Sequence, residues 1–484
     1  MECSPKISKS IFIVGLEKVS MIIIQLLTSV ILARLLSPSD YGTIAMISIF
    51  ISLSSALAEA GLGGSLIYYK DVDKRDFSTV FWLNTITSIF LYIVICIIAK
   101  PVSLFYGHPE LVWIMVVSGL SVVFSALGTI QLTLMYKQLC FRKLAIISVI
   151  SYVVSAVVAI ILAYYGFGVW ALVAQQVLVS VVRAILLTLS NRYIPQLYFS
   201  MTLVLKHWNF GKGLLFSTLL KTVYDNMYLQ LIGKYCSIVN AGYYNQAKKI
   251  KDIPSNLFCN VFETALFPIF SKYADESMMI EKARKVTGFF AMIVCPIFLL
   301  CVLFSKEIVF ILLGVKWESC TWILSYMSVG AIFFVFETIN RSIMKANGLS
   351  NLLFRVDFLK RSISLLIMFV AIIMFELKGI VFSFVINCIL GWAVNTYALS
   401  KRTTYSFKIQ LYDLLFYLVL AVLSTFAAYC MNLYFTLSNV FLRIALDLIV
   451  FSFLYFGVLI FLKDKSIEVL YNIVCRKSNL KKSF

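Results

Sequence analysis

Asn245, Lys249, Asp252, Asn256 and Asn260 recur four, three, four and four residues apart, with Lys248 and Glu263 beside the same line. That spacing places all five on one face of a helix. The surrounding stretch, 243–270, is long enough to cross a membrane, and an ionisable side chain in such a span is tolerated when it faces a cavity or a partner. The chemistry open to ammonium and amide groups so arranged is binding: Lys holds an anion as a point charge, and Asn solvates hydroxyls. Pro254 in the middle predicts a kink that frees backbone carbonyls. The competing reading is that the turn carrying Lys248 and Lys249 projects beyond the membrane.

Other polar residues stand in apolar surroundings. Lys221 and Asp225, four apart near the middle of span 210–232, form either a self-neutralising pair or part of a cavity lining. Span 11–33 carries Glu17, Lys18 and Gln25; Lys18 and Gln25 share a face, with Lys18 about 10 Å inside the near end. Glu337, Asn340, Arg341, Lys345, Arg355, Asp357, Lys360 and Arg361 cluster toward the ends of two further spans, where they either snorkel or form a basic mouth that focuses anions. Glu59 reads as a packing or capping residue, and Arg443 with Asp447 as a structural pair. Eleven cysteines show no CxxC spacing and there are only two histidines, so a metal site, a disulfide framework or a cofactor is not indicated.

These residues need a membrane scaffold to position them. Charged residues make up 13% and hydrophobic ones 61%, with mean hydropathy +0.94, whereas a soluble domain carries about 25% charged. Apolar stretches of about 20 residues recur along the chain, the length of a spanning helix; a β-barrel would need alternating segments of about ten. The expectation is an all-α polytopic membrane protein of about fourteen transmembrane helices. Its longest connection is 191–209, so it has no separate extramembrane domain. The net charge of +19 is a topology signal: 24 Lys and Arg fall in loops on one side and 5 on the other. Basic short loops stay inside, which puts both termini in the cytoplasm and calls for no nucleic-acid partner.

Arg34–Gly42 (RLLSPSDYG) and Lys234–Gly242 (KYCSIVNAG) match at an offset of 200, pairing Ser37 with Ser237 and Gly42 with Gly242. The same offset pairs Gln25 with Asp225, and the first span with the seventh. Parallel repeats of this kind are a transporter plan. They predict two pseudo-symmetric six-helix lobes, 1–200 and 201–404, two additional helices in 405–463, and a basic cytoplasmic tail, 464–484.

The segments LARLLSPSDYGTIAM (Leu32–Met46), AEAGLGGSLI (Ala58–Ile67), DFSTVFWLN (Asp76–Asn84), YDNMYLQLIGKYCSIVNAGYYNQAKKI (Tyr224–Ile250) and ALFPIFSKY (Ala265–Tyr273) together resemble the Wzx-type flippases of the multidrug/oligosaccharidyl-lipid/polysaccharide exporter superfamily. The resemblance covers roughly residues 10–400 and points to the branch of colanic-acid and teichuronic-acid exporters. Asn240 stands where relatives often carry a small residue, a departure that touches loop shape.

The resemblance implies a non-enzymatic flippase in the bacterial inner or plasma membrane. It would carry an undecaprenyl-diphosphate-linked oligosaccharide to the outer leaflet by alternating access through a cationic cavity. This sequence offers Lys18, Lys221, Lys248, Lys249 and Arg341 for the diphosphate, and Gln25, Asn256 and Asn260 for the sugars. Glu17 and Asp225 are the candidates for a coupling ion, H+ or Na+. Membrane lipids and other polysaccharide-assembly proteins are the expected partners. The rival readings are a cation-coupled multidrug exporter of the same superfamily and a membrane glycosyltransferase or polymerase acting on the lipid carrier, the latter disfavoured by the short outer loops.

Overall fold

In a computed structural model, the described residues are 7–59, 62–191, 193–266, 270, 276–434, 439–464 and 466–467, with side chains from Ser20 onward except at 264, 265, 276 and 350. The side chains of Glu17 and Lys18, most of the tail and most of ALFPIFSKY therefore lie outside the described residues.

The elements are α1 (Ile7–Leu35), α2 (Pro38–Glu59), α3 (Leu62–Tyr68), α4 (Lys74–Tyr106), α5 (Leu111–Lys137), α6 (Phe141–Tyr164), α7 (Val169–Asn191), α8 (Met201–Tyr235) and α9 (Ile238–Val261), which runs into a π-helical turn. They continue with α10 (Glu276–Leu303), α11 (Ser305–Leu312), α12 (Cys320–Ala346), α13 (Ser350–Ser400), α14 (Phe407–Tyr434) and α15 (Val440–Phe461). Ten helical runs among the described residues are long and apolar enough to cross a membrane. One of the ten, α13, holds two limbs, and α1, α8 and α9 are further long helices of this all-α polytopic membrane protein.

The helix starts follow from local chemistry. At α2, the Ser37 N–H donates to Asp40 Oδ2 at 2.8 Å and the Asp40 N–H returns to Ser37 Oγ at 3.3 Å, a capping box with Pro38 in the first helical position. Two hundred residues later Ser237 caps α9, its Oγ accepting from the Asn240 N–H at 3.1 Å. α4 begins with a box between Asp73 and Asp76 and ends on Gly107 in the left-handed region.

α13 is two spans in one helical run. Glu376 has φ 50° and ψ −131°, and the limbs fold back so that Asn387 Nδ2 reaches the Ser364 carbonyl at 3.4 Å. The turn requires Gly379, where a Cβ would stand 1.9 Å from the Ala371 carbonyl oxygen.

By packing, the chain divides into two compact units, Met1–Asn245 and Gln246–Phe484. In the first, α5 packs against α4, α7 and α2, α6 against α7 and α1, and α8 against α2, α3 and α4. In the second, α12 packs against α13 and α10, and α14 against α10 and α15, around an aromatic core that includes Phe258, Phe262, Phe298, Phe336, Trp392 and Tyr455. Large apolar side chains on outer faces, such as Phe90 at 62% and Phe453 at 77% exposure, are left for lipid.

Candidate functional site

α9 has two faces of different character. Ala247, Lys251, Ser255, Phe258 and Phe262 are buried, whereas Lys249, Asn256 and Asn260 are exposed and Lys248 and Asp252 half-buried. The stripe read from the sequence is therefore one edge of the open face, which it shares with the exposed Ile253, Leu257 and Val261. Sequence reasoning missed Lys251 on the other face. It is 5% exposed, pairs with Asp252 at 2.5 Å and lies over the Phe384 ring at 5.0 Å. Its position in the buried register was the available signal.

In the first unit, Gln25, Lys221 and Asp225 are exposed. Lys221 makes no ion pair or hydrogen bond among the described residues, so the self-neutralising pair with Asp225 is not formed. Glu59 on α2 lies within electrostatic reach of Arg183 on α7, a cation the sequence analysis passed over.

Arg341 sits differently. Among α12 and both limbs of α13, Glu337 and Asp357 alternate with Arg341 and Lys360: Arg341 bonds Asp357, Lys360 bonds Glu337, and the cross contacts are 3.8 Å for Arg341–Glu337 and 3.7 Å for Lys360–Asp357. Asn395 Nδ2 donates to Glu337 Oε1 at 3.2 Å. The four charges sum to zero and are mostly buried, so Arg341 and Lys360 belong to a closed network, while Lys345 and Arg355 of the same basic group are exposed outside it. Arg443 also departs from expectation. It pairs with Glu307 on α11, while Asp447 accepts from Asn432 Nδ2 at 2.7 Å. Spacing along one helix does not reveal a partner on a helix distant in sequence.

The segment DFSTVFWLN positions the connection between α7 and α8. Ser78 Oγ accepts from the Gln196 N–H at 3.0 Å and Trp82 Nε1 donates to the Gln196 carbonyl at 2.8 Å. Asp76 accepts from His207 Nε2 at 2.9 Å and Lys206 Nζ at 3.2 Å. The other ring nitrogen of His207, Nδ1, lies 2.8 Å from Ser65 Oγ. His207 precedes the apolar part of α8, and burial pushes its pKa below the ordinary value against the opposing pull of Asp76. Because the Asp76 carboxylate can only accept, His207 Nε2 carries a proton, while the Ser65 hydroxyl that faces Nδ1 donates its own hydrogen to the Leu62 carbonyl at 2.7 Å. No group of His, Cys, Asp and Glu among the described residues forms a metal cluster.

Comparison with known proteins now has a geometry to act on. The chain is 28% identical to the succinoglycan biosynthesis transport protein ExoT of Rhizobium meliloti, over 54% of this chain and 52% of that protein. It is 25% identical to the teichuronic acid biosynthesis protein TuaB of Bacillus subtilis, over 69% of this chain and 70% of that protein. With the lipopolysaccharide biosynthesis protein WzxC of Escherichia coli it shares 23% identity, over 66% of this chain and 64% of that protein. The match thus spans only about half of the first of these relatives and about two thirds of the other two.

In fold, the chain resembles the lipid II flippase MurJ in an inward closed conformation, with a TM-score of 0.72 and 16% identity over 94% of this chain and 99% of that one. An inward-facing multidrug resistance MATE transporter of the MOP superfamily matches with a TM-score of 0.58 over 79% of this chain. The sequence family described as "Polysaccharide biosynthesis protein" matches residues 31–322, more than half of the chain. The chain therefore belongs to the polysaccharide biosynthesis protein family, as a multi-pass helical membrane protein.

Proposed function

We propose that this protein carries an undecaprenyl-diphosphate-linked oligosaccharide from the cytoplasmic to the outer leaflet of the bacterial inner or plasma membrane for surface-polysaccharide assembly. The observation that carries the reading is that α9, inside a polytopic membrane protein, leaves Lys249, Asn256 and Asn260 exposed beside Ile253, Leu257 and Val261, a mixed face suited to a ligand with a charged head, sugars and a lipid tail. The exposed, unmatched charge of Lys221 adds to it. A diphosphate is a multiply charged anion that Lys meets as a point charge, and sugar hydroxyls suit amide side chains.

In this account Lys18, Lys221, Lys248 and Lys249 hold the diphosphate, and Gln25, Asn256 and Asn260 solvate the sugars. Arg341 contributes little, because Asp357 and Glu337 already match its charge. The lipid tail stays in the bilayer, two six-helix lobes, 1–200 and 201–404, rock to alternate access, and both termini face the cytoplasm. Glu17 and Asp225 are the candidates for coupling to H+ or Na+. Surface-glycan display by cells carrying Lys221→Gln or Lys249→Gln tests the reading. Removing one charge-assisted contact worth about 1.5–3 kcal/mol lowers transport roughly tenfold or more, at unchanged protein level. Unchanged display in both variants overturns it.

A further inference from the structure

The ends of α10, α14 and α15 enclose a cavity of about 680 Å³ that plays no part in the transport reading. Its wall carries Arg284, Lys285 and Lys463 against Glu281, Asp413 and Asp464, so charges of both signs sum to zero. Tyr412, Phe416 and Leu462 add an apolar side. We propose that this cavity binds the headgroup of a zwitterionic glycerophospholipid, a phosphodiester joined to an ammonium group.

Three observations carry the assignment. First, the wall is pre-organised: Asp413 holds the Arg284 guanidinium through Nε at 3.1 Å and Nη2 at 3.2 Å, leaving Nη1 for another acceptor. Tyr405 donates to the same carboxylate at 3.0 Å. Tyr417 donates to Asp464 at 2.9 Å, and the Ser466 N–H does so at 2.8 Å.

Second, Lys463 makes no ion pair or side-chain hydrogen bond among the described residues. It also holds φ 50°, a left-handed conformation that favours glycine. The N–H groups of Lys463 and Asp464 close the end of α15 on the Ile460 and Leu459 carbonyls at 3.0 and 3.1 Å. A lysine kept where glycine fits best is strain set beside a cavity, the pattern of a ligand-facing position. Third, the cavity lies at the ends of three spanning helices, the level at which lipid headgroups sit. Lys463 and Arg284 Nη1 would take the phosphodiester, the carboxylates the ammonium, and Phe416 and Leu462 the first methylenes of the acyl chains. A wall with excess positive charge would favour an anionic headgroup; this one is balanced.

Native mass spectrometry of the delipidated full-length protein, titrated with phosphatidylethanolamine, phosphatidylglycerol, diacylglycerol or undecaprenyl phosphate, tests the proposal. Phosphatidylethanolamine binds at least tenfold tighter than diacylglycerol and no weaker than phosphatidylglycerol. Lys463→Gly, which suits the left-handed backbone and so preserves the fold, weakens that binding about tenfold. Equal binding of diacylglycerol, tighter binding of phosphatidylglycerol, undecaprenyl phosphate binding that Lys463→Gly weakens more than it weakens phosphatidylethanolamine binding, or unchanged phosphatidylethanolamine affinity in Lys463→Gly overturns it. Failure here leaves the transport reading intact, since that is read from glycan display in other variants.

Discussion

Gly42 and Gly242, two hundred positions apart, each press against the carbonyl of the residue that opens the other's helix. A Cβ on Gly42 would lie 1.9 Å from the Ile238 oxygen, and one on Gly242 would lie 1.9 Å from the Pro38 oxygen. Pro38 and Ile238 are themselves two hundred apart, so the contact has the reciprocal form of a two-fold interface, made here within one chain. The first turns of α2 and α9 meet backbone to backbone, which any side chain would prevent.

Gly42→Ala or Gly242→Ala should therefore force the two helix starts apart. The expected cost is that of overpacking, about 1–3 kcal/mol, read as a lower melting temperature of the purified protein. Because both substitutions open the same contact, the double variant should lose less than the sum of the singles. Full additivity would mean that the two glycines act separately.

The closed charge network predicts an asymmetric response. Glu337→Gln leaves Lys360 and Arg341 to share Asp357, and breaking a buried pair costs about 3–5 kcal/mol. Replacing Glu337 and Lys360 together with Met removes both charges and should restore much of the loss. Thermal stability and membrane abundance report both. A double variant as unstable as Glu337→Gln would show that the network does not act as a charge-balanced unit.

His207 gives a pH test of how α8 docks on α3 and α4. Its folded pKa lies below its ordinary 6.5, because burial disfavours the charged ring. Its contribution to stability is therefore full above pH 6.5 and is lost as pH falls through the folded value. Wild-type melting temperature should drop between about pH 7 and pH 5 more steeply than that of His207→Gln. Parallel curves would remove His207 from this role.

Much of this was legible beforehand because lipid imposes simple rules. Apolar length marked the spans. The 4-3-4-4 spacing on α9 marked its open face, since helical periodicity is local. The offset of 200 was visible as matched Ser37 and Ser237, but not that Gly42 and Gly242 touch. Partner choice was the illegible part: Arg443 reaches Glu307 from a different helix, and Arg341 is neutralised by Asp357 across a helix pair. Lys251 was passed over, although its register assigns it to the buried side.

The most direct test of the central claim is to delete the gene and measure both the surface glycan and the lipid-linked precursor pool. The account predicts loss of surface polymer with single oligosaccharide units trapped on the cytoplasmic leaflet, restored by the wild-type chain. Normal surface glycan with altered drug sensitivity would contradict it in favour of a drug exporter. Single units that reach the outer leaflet but stay unpolymerised would contradict it in favour of an enzyme of polymer assembly.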